Sequence, residues 1–136
     1  MARVLIVETN SRIADALISV MKREQDIPSS DILKVDSIGD AWQVLHHLAQ
    51  NSVIVIDALA YSPHHQAGRD FNADADTFVK DVLAKNPSFS AIVENVVGTD
   101  ISDRFSPTEQ ERIVEVEGIG DFLNVALAIA KLLVHA

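Results

Sequence analysis

The sequence predicts an α/β fold: a doubly wound, five-stranded parallel sheet of strand order 2-1-3-4-5, built as a single domain over residues 1–136. Three observations predict it. Short continuous apolar runs, RVLIV at 3–7 and VIVI at 53–56 among them, are rich in β-branched residues and do not alternate with polar ones, as in strands covered on both faces. Between these runs apolar residues recur at helical spacing, so strand and helix alternate, the pattern of parallel strands joined by crossover helices. At 136 residues, 48% of them hydrophobic, the chain is long enough for one well-filled core and too short for two domains. Right-handed crossovers leave few topologies for five such units, and order 2-1-3-4-5 is the usual one at this length.

The first strand, 3–7, is followed by Asn10 or Ser11, either of which can cap a helix with Ile13, Leu17, Val20 and Met21 on one face. That helix runs to near Glu24, and Asp26-Ile27-Pro28-Ser29-Ser30 breaks it. Residues 32–36 read as a weaker second strand, and Gly39-Asp40 opens a second helix with Trp42, Leu45, Leu48 and Ala49 on one face. The third strand is 53–56, ended by Asp57, and a long polar connection over 58–73 holds Pro63, His64, His65 and Gly68. A third helix is expected from about Asp74 to Lys85, with Phe78, Val82 and Leu83 inward and Asn86-Pro87 as its stop. Ala91 begins the fourth strand. Ser106-Pro107-Thr108-Glu109 has the pattern of a capping box with proline at the first helical position, opening a helix of only a turn or two before the fifth strand at 113–116. Gly118 and Gly120 make a turn, and 121–135 is the last helix.

Composition narrows the function classes. The formal net charge of −9 repels phosphate backbones and there is no basic run, so nucleic-acid binding by this domain is not expected. The absence of cysteine excludes disulfides and thiolate zinc sites. No apolar run approaches the roughly 20 residues of a membrane span. The opening MARVLIVETN is too short in its apolar part for a signal segment, so a cytoplasmic protein is expected.

In a doubly wound sheet of this order, functional groups gather at the carboxyl ends of strands 1 and 3, where strand order reverses. Glu8 follows the first strand and Asp57 ends the third, so the topology sets two sequence-distant carboxylates side by side. VLIVETN at 4–10, the strand-ending Asp57 and the element order together resemble the response-regulator receiver domain of bacterial two-component signalling, a flavodoxin-like fold, over nearly the whole chain. The resemblance implies that Asp57 stands where the family's nucleophile takes phosphoryl from a histidine kinase. It puts Glu8 and Thr9 in place of two acids that hold Mg²⁺, a hard cation that wants carboxylate oxygens; Glu8 keeps the charge and Thr9 does not. The family's strand-4 hydroxyl falls on Asn95, or on Glu94 if the register slips by one, and neither carries a hydroxyl. The family's strand-5 lysine falls on Val116, flanked by Glu115 and Glu117, and the proline after it is missing. Without that lysine, phosphoryl charge is uncompensated in a partly desolvated cleft. The resemblance therefore implies an atypical or pseudo-receiver: a signalling module acting by protein–protein contact, its phosphotransfer impaired or absent. No cofactor is expected unless Asp57 is still phosphorylated, in which case Glu8 and Asp57 are the Mg²⁺ ligands. The longer spacing from Asp57 to Pro63 points to a remodelled loop beside the site.

Other readings stay open. One is a phosphorylatable response regulator using Asp57. Another is a small-ligand or cofactor-binding domain on a flavodoxin-like fold, although Thr9-Asn10-Ser11 lacks the glycine that lets backbone N–H groups approach a phosphate, and stacking rings are scarce. A third is the N-terminal part of a longer regulator. His46-His47 and His64-His65 read as solvated side chains, since adjacent histidines point apart. Asp74-Ala75-Asp76 reads as acids favoured by the macrodipole in a first helical turn. The last helix, DFLNVALAIAKLLVHA, is apolar around most of its circumference. One face packs on the sheet, and Phe122, Val125, Ile129 and Leu133 are interface candidates, for a homodimer through this helix or for a kinase or output protein.

Overall fold

The computed structural model describes residues 1–57, 71–95, 101–117 and 121–134, with the backbone alone at 71–74 and 95. Its elements are β1 (Ala2–Val7), α1 (Ser11–Gln25), β2 (Ile32–Val35), α2 (Ile38–Val44), β3 (Leu48–Asp57), α3 (Phe71–Lys85), β4 (Ser90–Asn95), α4 (Pro107–Gln110), β5 (Ile113–Glu117) and α5 (Phe122–Val134). The five strands are parallel in the order β2-β1-β3-β4-β5, as the sequence predicts.

The central strands are buried on both faces, and their residues sort by parity into two cores. Leu5, Val7, Ile54, Ile56, Ala91 and Val93 face the layer of α2 and α3. Val4, Ile6, Val53, Val55, Ile92 and Val116 face α1 and α5. This explains why the strand runs are continuously apolar: successive side chains point to opposite faces, and neither face is wet.

Local chemistry sets the element ends. Asn10 caps α1, its Oδ1 accepting from Arg12 N–H at 3.0 Å and Ile13 N–H at 3.3 Å. The helix closes at Asp26, which adopts the left-handed conformation at φ 53° and donates its N–H to Met21 O. The expected capping box forms: Ser106 Oγ accepts from Glu109 N–H, Glu109 Oε1 accepts from Ser106 N–H at 2.7 Å, and Pro107 takes the first helical position. At the far end of the sheet Arg112 donates to Leu83 O, Asn86 O and Phe89 O, satisfying carbonyls at and beyond the end of α3.

Three expectations are corrected. The second helix ends at Val44, and Leu48 and Ala49, expected on its face, instead open β3, where Leu48 pairs with Ala2 and is buried. The extra strand length buries Leu48 against the sheet, which a longer helix would forfeit. The residues α2 buries are Ile38 and Ala41, while Trp42 stays 38% exposed, its ring edge-on to Phe78 at 5.1 Å and under the Lys85 ammonium. Helix α3 begins at Phe71, before the expected start, so Asp76 lies beyond its first turn. Its carboxylate is held by Arg104 through Nε at 2.8 Å and Nη2 at 2.9 Å, with the two side chains only 8% and 10% exposed. A bidentate buried ion pair, not a helix-terminus effect, accounts for this acid. Lastly, Val125 and Ile129, expected at an interface, lie fully inside the α1/α5 core, and Phe122 and Leu133 are half-buried against it. The turn at Gly118 and Gly120 and the 58–70 connection with its His64-His65 pair lie outside the described residues.

The Arg104–Asp76 pair ties α3 to the segment before α4 and sits against Phe105, itself buried under the sheet. Removing one partner strands a buried charge, so Asp76→Ala should lower unfolding free energy by about 3–5 kcal/mol in urea titrations. Replacing both, as Asp76→Leu with Arg104→Met, should recover most of that loss. Equal losses in the single and double variants would show that the pair is not the source of the effect.

Candidate functional site

The sheet register builds one row across four strands. Val7 pairs with Ile56, so Glu8 follows β1 beside Asp57 at the end of β3. Asp57 pairs with Glu94, and Glu94 with Val116. All four positions continue the parity of the α1/α5 face. Glu8, Asp57 and Glu94 are buried at 4%, 4% and 5% exposure, and Val116 at 8%.

Glu8 is fixed from two sides. Its N–H donates to Val35 O at 3.1 Å, and its Oε1 accepts from Asn10 N–H at 3.0 Å. Asn10 therefore serves both the carboxylate and the start of α1. Burial pushes the Glu8 carboxyl up to about 7 despite the opposing Asn10 hydrogen bond, and the charge of Asp57 and a hydrogen bond to it push the same way. Two carboxyl groups hydrogen-bonded to each other need a proton between them, and the Glu8–Asp57 pair holds it as a unit. Glu94 is also raised to about 7, first by burial and then by the charges of Asp57 and Glu8.

The site residues expected from sequence are thus partly brought together. Glu8, Asp57 and Val116 share the row. Thr9 is exposed beside it. Asn95 pairs with Glu117 one step beyond the row, so the position beside Asp57 belongs to Glu94, the one-residue register alternative. The signal for Glu94 was present in the chain: VLIVE, VIVID and AIVE are three apolar runs, each ending on an acid.

Among the described residues no group of three or more acidic or histidine side chains meets the geometry of a metal site. One Glu8 oxygen is already engaged by Asn10, and the expected second acid is Thr9, a poor Mg²⁺ ligand. His46 and His47 are exposed, with ring centroids 4.0 Å apart.

A second feature meets the row only at its last member, Val116. A groove of about 490 Å³ runs between β5 and α5, floored by Val114, Leu127, Ala128 and Leu132, with Glu117 and Asp121 towards one end and Lys131 towards the other.

No family model and no curated protein matches the chain. Solved structures do. A signal receiver domain from Vibrio parahaemolyticus superposes with a TM-score of 0.71 at 20% identity, covering 98% of this chain and 91% of that one. A response-regulator receiver domain from Clostridium thermocellum gives 0.67 at 12% identity, covering 99% and 96%. A two-component transcriptional regulator from Clostridium phytofermentans gives 0.61 at 18% identity, with the same coverages of 99% and 96%. The chain has the receiver fold, matched over 98–99% of its length in these superpositions. Among its described residues no helix is long and apolar enough to cross a membrane.

The raised carboxyls fix the sign of a pH dependence. Glu8 and Glu94 have folded-state values near 7 against an unfolded value of 4.5, so the folded state holds protons that the unfolded state releases. Their stabilising contribution is fully present below pH 4.5 and is lost as pH rises through 7. Melting temperature should therefore fall between about pH 5 and pH 8. Glu94→Gln should flatten the profile and raise stability at about pH 8 by up to roughly 3 kcal/mol. A wild-type profile that is flat or rising over this range would contradict the assignment.

Proposed function

We propose that this chain is a receiver-type signalling module of the two-component kind that acts by protein–protein contact, with conventional phosphotransfer to Asp57 impaired or absent. The observation that carries the reading is the Glu8–Asp57–Glu94–Val116 row. A phosphoryl group on Asp57 brings close to two negative charges. In this row it meets Glu94 where a hydroxyl would donate and Val116 methyl groups where a cation would pair. Two buried carboxyls already share limited protonation there, and a further anion raises the energy of every ionised state.

The module is read as non-catalytic, without a resident metal, and working in the cytoplasm. Its partners are of the kinase or output-protein class, met through its surface. The contact surface favoured by exposure is the outer side of α5, where Leu123 and Leu127 stand 61% and 43% exposed. The acid row then serves as a fixed, proton-holding edge and not as a phosphoryl-driven switch.

The test is incubation with acetyl phosphate and Mg²⁺, read by intact mass. Wild type should give no stable adduct. A Glu94→Thr, Val116→Lys variant should gain one, because it supplies a hydroxyl donor and a counter-cation at the paired positions, and adding Asp57→Asn should abolish it. A stoichiometric wild-type adduct that disappears in Asp57→Asn would overturn the reading in favour of a phosphorylatable regulator.

A further inference from the structure

Helix α5 covers the sheet unevenly. Val53, Val55 and Ile92 on the face beneath it are fully buried, whereas Val114 on the edge strand β5 is only half-buried. The strip of β5 beside the helix is left open as the groove of about 490 Å³, a size in the range of small-molecule sites. Its floor is Val114, Val116, Ala128 and Leu132. Val116 stands where the likeness to receivers implies a lysine, and with valine there the floor is apolar without interruption. That floor is recessed: Val116 keeps only 8% of its surface exposed, so a slender group reaches it and the broad face of a folded partner does not.

The charged groups stand at opposite ends of this groove. Glu117 ends β5 and Asp121 precedes α5, so both border the same end. Asn124 donates to the Asp121 carboxylate at 2.7 Å, which holds it in place. Lys131 lies about 15 Å further along the helix, at the other end. We infer that the groove is a binding site for a small amphipathic amine, its ammonium head against Glu117 and Asp121 and its aliphatic body laid over Val114, Ala128 and Leu132.

Each part of the groove narrows the ligand class. Two carboxylates at one end select a cation, and the net charge of −9 draws cations to the surface as a whole. Lys131 disfavours a second ammonium at the far end, so the ligand is a monoamine with an apolar tail and not a polyamine. An anion would find one lysine and two opposing carboxylates, and a neutral chain would forgo the acidic end. The carboxylates are open to solvent and screened, so the head fixes orientation and the aliphatic body supplies the larger share of the affinity. Val116 pairs with Glu94 in the sheet, which sets the occupant one strand from the acid row. The inference goes beyond the signalling reading and stands whether or not Asp57 accepts a phosphoryl group.

The test is an amide-shift titration of the whole chain with n-hexylammonium chloride at constant ionic strength, with circular dichroism to confirm that each variant is folded. Saturable shifts should appear at residues 114–117 and 121–132. Ethylammonium, whose body covers less of the floor, should bind roughly tenfold more weakly or worse. Glu117→Gln with Asp121→Asn should weaken hexylammonium roughly tenfold and leave hexan-1-ol unchanged. Ala128→Phe, which fills the groove, should abolish the shifts. The double acid variant alters only groups at the groove's rim, so it decides the matter even where Ala128→Phe fails to fold. Four results would each overturn the proposal: no saturable shifts in this region, hexan-1-ol or hexanoate bound as tightly as hexylammonium, an affinity indifferent to the acid substitutions, or shifts at the same residues that follow protein concentration without any probe, which would give the groove to a second copy of the chain.

Discussion

The apolar runs of β1, β3 and β4 present almost no surface to water: Val4, Leu5, Ile54, Ala91 and Ile92 are each buried to within 1%. That two-sided burial is the constraint on which the remaining features depend. Covering both faces requires helices on each side, and parallel strands joined by crossovers supply them. A strand enclosed on both faces can place a polar side chain only where the enclosure ends. Each of these strands ends its apolar run on an acid, at Glu8, Asp57 and Glu94, and the parallel register brings the three acids to one level. The site is therefore a by-product of the core's geometry as much as of its own chemistry.

At that level the electrostatics decide what the edge can do. Asp57 ends β3, and its neighbours along the row are Glu8 and Glu94, with Val116 beyond. Carboxyls so close in a desolvated place cannot all be ionised, and they answer by holding protons up to about pH 7. Burial is the main cause of that retention, and the neighbouring charges add to it. Asn10 tempers this locally, since its N–H offers Glu8 one favourable contact while its side chain anchors α1.

Away from the row, two arginines hold the layer of α3 together by different means. Arg112 is a hydrogen-bond clasp for the carbonyls of Leu83, Asn86 and Phe89, and Arg104 is the buried counter-ion of Asp76. With α4 reduced to Pro107–Gln110, the capping box and the Arg104 pair give this segment its shape where a longer helix would have used its own ladder. The apolar excess of α5 has a different outcome: its inner stripe completes the second core, and its outer stripe remains uncovered.

How much of this was legible in the chain differs by the range of the interaction. Apolar runs, helical spacing, the Asn10 cap and the Ser106–Glu109 box are short-range patterns, and they determined the element order, the parallel sheet and the placing of Glu8 and Asp57 at its edge. The likeness of 4–10 and Asp57 to a receiver followed from the same local signals. Decisions that turned on contacts between distant segments needed the folded structure. Whether Glu94 or Asn95 stands beside Asp57 is a one-residue matter of strand register, which is set by the packing of the whole sheet. Leu48 left the second helix because pairing with Ala2 buried it better. Asp76 took Arg104, 28 positions away, as its partner. Val125 and Ile129 went inward and Leu123 and Leu127 outward because a helix apolar on nearly every side carries no sign of which stripe will meet the sheet. Periodicity and composition are properties of neighbours along the chain, whereas register, ion-pair choice and helix rotation are settled only by what those neighbours pack against.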